Sequence, residues 1–276
     1  MSAVFMHMGV HSSPIESSER SCYNDDELFR REHQMGAPLR PERNNQMTEQ
    51  DYINEQIRLS AQLHIENTVN PAQVQAVAGV DLAYWKEADG QEHAVCCIVV
   101  INYHTAEVLE TASHADQINV PYIPGCLAFR EIPLFLQTYQ KVTVPPDVLF
   151  FDGNGYLHPR HMGLAAHAGI LIQKPTVGIA KSYHRIAGVD FVMPPNEERA
   201  YTDIEINGEC YGRALRTHVN VKPVFLSVGN AIDIETAMQM TNRMITKESH
   251  VPVPTRLADL MTHEKRKELL QKGVIG

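Results

Sequence analysis

No apolar run in this 276-residue chain approaches the roughly 20 residues that a membrane-spanning helix needs. The start, Met1 to Val10, also lacks a basic stretch ahead of its few apolar residues, so neither a membrane partner nor a secretory signal is expected. A Cys-x-x-Cys pair is missing too. The five cysteines are an odd number without zinc-ligand spacing, and the adjacent Cys96 and Cys97 would face opposite sides of a strand. That usage points to reduced thiols in a soluble, cytoplasmic protein. Excess positive charge is absent as well: a formal net charge of −9 argues against a protein that coats nucleic acid through a broad basic surface. It leaves room for an enzyme that gathers carboxylates around cations, because bound cations reverse the local field.

Periodicity is lacking from Met1 to about Asn45, a stretch rich in Ser, Glu, Arg and His. Residues 1–45 are therefore expected to form a flexible extension, and 46–276 the folded domain. A hydrophobic fraction of 43% lets that domain build a substantial core. Thr48 and Asp51 form a capping box, and Ile53, Ile57, Ala61 and Ile65 follow at fourfold spacing, so a first helix should run toward Pro71. Three strands come next, at 76–84, 93–103 and 108–117, joined by short turns as an antiparallel meander. Pro121-Tyr122-Ile123-Pro124-Gly125 is a stiff loop that holds an aromatic ring outward, and 127–139 reads as a helix with Pro133 in its first turns or kinking it.

The most informative stretch is Phe150 to Arg160. Val148-Leu149-Phe150-Phe151 is a short continuous apolar run, as in a strand buried on both faces, and Asp152 stands at its tip. Gly153 and Gly155 permit a sharp turn, and Pro159 suits the first position of a following helix. In open α/β sheets ligands gather beyond the carboxyl ends of the strands, which is where this order puts Asp152. The run 175–181 places Lys181 in the same way. Asn207-Gly208 marks a hairpin, 224–228 a last core strand, and 233–247 and a charged segment from Arg256 two closing helices. The fold class is α/β, a mixed sheet with antiparallel first strands flanked by helices.

Asp81, Glu131, Asp152 and Asp259 come from separate elements, each beside apolar residues. Burying a lone ionised carboxylate costs on the order of several kcal/mol, so Asp81 needs a partner, a metal or a proton. An oxygen-only set suits Mg²⁺, or Mn²⁺ in its place, and two such ions align a water and stabilise the leaving oxygen of a phosphodiester. Singly, Asp152 also reads as a turn residue and Glu131 as a complement to the helix macrodipole.

Six segments together carry a resemblance: Val77 to Tyr84, Pro121 to Glu131, Asp152 to Arg160, Gly163 to Gly169, Thr176 to Lys181 and Pro254 to Asp259. In this order they resemble endonuclease V. The resemblance implies a ribonuclease H-like fold and Mg²⁺-dependent cleavage of strands containing deoxyinosine or inosine, at the second phosphodiester 3′ to that base, leaving a 3′-hydroxyl and a 5′-phosphate. Carried over motif by motif, Asp81, Glu131, Asp152 and Asp259 match the metal-binding carboxylates and Lys181 the family lysine. Tyr122 matches the wedge that fills the gap left by an extruded base. The base pocket would draw on backbone near Gly125, Leu127, Gly153 and Gly163, with His158 either shaping it or bonding the loop. Asn230 departs from the histidine of many members. His158-Pro159-Arg160 looks like the bacterial form, which favours DNA repair, and a monomer is the default.

Rival readings are an inosine-specific endoribonuclease, a non-catalytic inosine-binding module and an actin-like ATPase. The last fits poorly, because Tyr84-Trp85-Lys86-Glu87 is bulky and charged where a glycine-rich phosphate hairpin belongs.

Overall fold

The apolar runs assemble into an eight-stranded mixed sheet in the computed structural model, which describes residues 47–272. The expected extension, 1–45, lies outside the described residues. Strands β1 (Ala76–Lys86), β2 (Glu92–Asn102) and β3 (Val108–Gln117) form the expected antiparallel meander. β4 (Val148–Asp152) pairs parallel to β1 and β5 (Thr176–Ala180) parallel to β4, so both lie at the sheet's centre. β6 (Ala200–Ile206), β7 (Glu209–Arg216) and β8 (Val224–Asn230) close the order β3-β2-β1-β4-β5-β8-β7-β6. Asn207 and Gly208 both take positive φ in the tight turn between β6 and β7, as a two-residue hairpin requires.

Helices α1 (Glu49–Ser60), α2 (Ala128–Tyr139), α3 (Leu164–Ile172), α4 (Ile234–Met244) and α5 (Val253–Lys272) complete the fold. Alternation along the strands divides the core in two. Ala78, Val80, Leu149 and Phe151 pack on one face with Ile132 and Phe135 of α2 and Ala165 and Ala168 of α3. Val77, Val99, Phe150 and Val177 pack on the other with Met240 of α4 and Ala258 of α5. Cys96 and Cys97 fall on opposite faces, as alternation demands.

One glycine sets the height of α5 over the sheet. A Cβ on Gly79 would lie 1.9 Å from the carbonyl oxygen of Pro254, so only glycine lets the start of α5 rest against β1. Asp259 is thereby carried over the same strand that bears Asp81.

Three local expectations are corrected. The capping box at Thr48 is present, but α1 stops at Ser60 and buries Tyr52, Gln56 and Leu59, while Ile57 is 54% exposed. The tertiary partners decide the face: Tyr52 meets the ring of Phe129, and Leu59 packs with Met162, Ala166 and Ile170. Pro159 lies in a turn, and α3 begins only after Gly163. Pro254 does not precede the last helix but sits in its first turn, where the missing N–H has no intrahelical partner to lose.

Candidate active site

The sheet brings together acids that are far apart in sequence. Asp81 of β1, Asp152 at the end of β4 and Asp259 of α5 each present an oxygen, and these oxygens lie within 4.8 Å of one another. Lys181, just past β5, reaches Asp152 Oδ2 at 2.5 Å and Asp259 Oδ1 at 2.9 Å. Glu131 is not one of that close trio. It comes from α2 on the other face of the sheet, is buried, and accepts the Tyr84 hydroxyl at 2.8 Å on Oε1.

Burial shapes the electrostatics. It is the main cause that pushes the Asp81 carboxyl up to about 7, and the charge of Asp152 adds to it. Glu131 is also pushed up to about 7, chiefly by burial, against the hydrogen bond from Tyr84 and with the charges of Asp81 and Asp152. Asp152 is raised by burial too, although Lys181 opposes this. Burial pulls the Lys181 ammonium down, yet its bonds to Asp152 and Asp259 leave it above the ordinary lysine range. One ammonium thus neutralises only part of the cluster. A divalent cation fits this donor set, because the ligands are all carboxylate oxygens with unbalanced negative charge.

Tyr122 stands 65% exposed on its loop. The loop is anchored behind it through one carbonyl. Gly125, at φ +75°, offers its oxygen to Gln56 Nε2, Arg160 Nη2 and His158 Nε2, each at 2.9 Å. His158 Nδ1 accepts from the backbone N–H groups of Arg160 and Met162, so the proton sits on Nε2, and burial holds the ring neutral with its value pushed down to about 4. His158 therefore bonds the loop, and the Gly125 carbonyl is already engaged. Leu127, at the start of α2, is exposed, and Gly153 and Gly163 bracket the loop after Asp152.

Sequence reasoning missed Tyr84, Gln56 and Thr262. Thr262 is fully buried and lies 3.1 Å from Asp81 Oδ2, one turn beyond Asp259, so its position on that helix face was a usable signal. Tyr84 and Gln56 act across the fold and leave no local signature. Asn230 belongs to the scaffold: it pairs with Thr176 at the end of β5 away from Lys181, accepts from His64 N–H and donates to Gly169 and Lys174 carbonyls. Two arginines near the sheet's far end are committed internally, Arg213 to Asp203 and Glu235 and Arg216 to the carbonyls of Pro194, Pro195 and Val221. Among the described residues no helix is long and apolar enough to cross a membrane.

Comparison with known proteins bears on family and fold. The family model described as Endonuclease V matches residues 57–260. Endonuclease V of Bacillus thuringiensis subsp. konkukian is 51% identical over 222 residues, covering 80% of this chain and 94% of that protein. The crystal structure of the Bacillus subtilis endonuclease V superposes with a TM-score of 0.80 at 50% identity, covering 83% of this chain and 96% of the other. Endonuclease V of Ciona intestinalis, solved in complex with a 24mer DNA containing an inosine followed by a ribo-adenosine, superposes with a TM-score of 0.71 at 26% identity, covering 80% and 98%.

Proposed function

The chain belongs to the endonuclease V family, a ribonuclease H-like endonuclease, and from that premise we propose that it nicks DNA at the second phosphodiester 3′ to a deoxyinosine. The reaction leaves a 3′-hydroxyl and a 5′-phosphate and serves the repair of deaminated adenine. The observation that carries this reading is the convergence of Asp81, Asp152 and Asp259 beside Lys181. The inosine-containing DNA held by the Ciona relative supports the choice of substrate.

Asp81, Asp152 and Asp259 would hold Mg²⁺ or Mn²⁺, with Glu131 beside them as a further ligand. When bound, the cation supplies Lewis-acid stabilisation of phosphate charge and lowers the pKa of a water. Lys181, released from one of its two carboxylates, places its ammonium where charge grows on the phosphorane oxygens. Thr262 donates to Asp81 Oδ2 and helps hold that carboxylate. Tyr122 fills the space vacated by the extruded base, on a loop kept rigid through Gln56, His158 and Arg160. Hypoxanthine offers a carbonyl and a ring N–H where adenine has an amino group and an acceptor, so backbone groups near Leu127, Gly153 and Gly163 reject adenine by leaving donors and acceptors unmatched.

The ribo-adenosine after the inosine in the Ciona complex favours a second reading in which RNA containing inosine is cut. Purified protein should be assayed on matched deoxyinosine and inosine oligonucleotides with Mg²⁺ and with EDTA. Faster nicking of the deoxyinosine strand that EDTA abolishes is expected; cleavage of the inosine strand alone would make the protein an endoribonuclease, and binding without cleavage an inosine-binding module.

A further inference from the structure

Glu131 and Tyr122 are joined by side chains that the reading above does not use. The Tyr84 hydroxyl donates to Glu131 Oε1 at 2.8 Å. The Tyr84 ring carries the Arg130 guanidinium, whose Cζ lies 5.3 Å from the ring centroid and 6.0 Å from that of Tyr122. Arg130 is only 6% exposed, bonds Glu92 Oε2 at 2.8 Å through Nη2, and keeps a buried Nε with no partner. A guanidinium buried with an unused donor is costly, so its place between two tyrosine rings calls for a reason beyond packing. Arg130 and Glu131 are also neighbours on α2, so movement of one is felt by the other.

We propose that Tyr84 is a positioning residue that fixes Glu131 for the metal site and, through Arg130, ties the Tyr122 ring to that carboxylate. The hydroxyl occupies one oxygen of Glu131 and so orients the other. The ring is the seat on which Arg130 supports Tyr122 from behind. Insertion of Tyr122 beside an extruded base would then steady Glu131, so that the site is completed when the base is in place. This rests on the proposed metal and wedge roles.

The test uses the full chain and Mn²⁺ as the probe, titrated by water-proton relaxation without nucleic acid. Tyr84→Phe keeps the ring and removes the hydroxyl, and should weaken Mn²⁺ binding about tenfold or more while leaving the preference for inosine duplex over single strand unchanged. Tyr84→Leu should lose that preference as Tyr122→Ala should, and the double variant should lose no more. Arg130→Met, which keeps both rings, should act like Tyr84→Leu and gives a second route to the same answer. Mn²⁺ affinity of Tyr84→Phe within about twofold of wild type, with only a lower thermal midpoint, would reduce Tyr84 to a structural role. Retained duplex preference in both Tyr84→Leu and Arg130→Met would break the link to Tyr122. Asp152→Ala is the control: if it binds Mn²⁺ like wild type, the acidic site has been misread, whatever Tyr84 does.

Discussion

Raising the pH without a divalent cation should destabilise this protein, and two buried carboxyls set the size of the effect. Asp81 and Glu131 are both held up to about 7, from ordinary values of 3.8 and 4.5. A carboxyl with a raised folded-state pKa binds its proton more tightly in the folded than in the unfolded chain. The stability it lends is fully present below the unfolded value and is lost as pH rises through the folded one. The window therefore runs from about pH 4 to about pH 7. At about 1.4 kcal/mol per pH unit, each carboxyl alone accounts for roughly 3–4 kcal/mol. Glu131 is raised in part by the charge of Asp81, so the two are not additive, and a joint loss of about 3–5 kcal/mol is expected. Urea unfolding in EDTA from about pH 4 to about pH 8 measures it, and the midpoint should fall across that range. Saturating Mg²⁺ should offset the loss, because a cation binds the ionised acids of the native state alone. Asp81→Asn should flatten the EDTA curve. A midpoint in EDTA that does not fall with pH, or one that falls equally with and without Mg²⁺, would contradict an origin in these two carboxyls.

Two further outcomes follow from the geometry. Tyr122→Ala should weaken binding to an inosine duplex by about tenfold, the order of one lost stacking contact, and bind a single strand nearly as wild type; equal losses in titrations of both would count against a wedge. Gly79→Ala should cost about 3 kcal/mol in denaturant unfolding and also weaken Mn²⁺ binding, because the added Cβ, 1.9 Å from Pro254 O, must lift the helix that carries Asp259. Unchanged stability there would mean that the contact between α5 and β1 is slack.

The central strands were legible because burial leaves a continuous apolar run with its charged residue at the tip. Val148 to Asp152 and Thr176 to Lys181 follow that rule, and it placed Asp152 and Lys181 at the same edge before any pairing was known. The Asn207-Gly208 turn and the Thr48 capping box were legible because their chemistry is local. What escaped is set by contacts across the fold. The buried face of α1 follows Phe129 and Met162 rather than its own isoleucines, and it accepts Gln56 because the Gly125 carbonyl lies opposite. Tyr84 reads as an ordinary strand aromatic until Glu131, 47 residues on, is seen to accept its hydroxyl. Asn230 shows the same limit, tying a strand end to the loops around it.

In the proposed function one acidic site performs the cleavage, and recognition of inosine is separate from it. Asp152→Ala, assayed for binding and for nicking on the same deoxyinosine duplex with Mg²⁺, tests it most directly. Binding close to that of wild type is expected, with nicking reduced at least about a thousandfold, the scale of losing a group that acts in the chemical step. Undiminished Mg²⁺-dependent nicking by Asp152→Ala would contradict it.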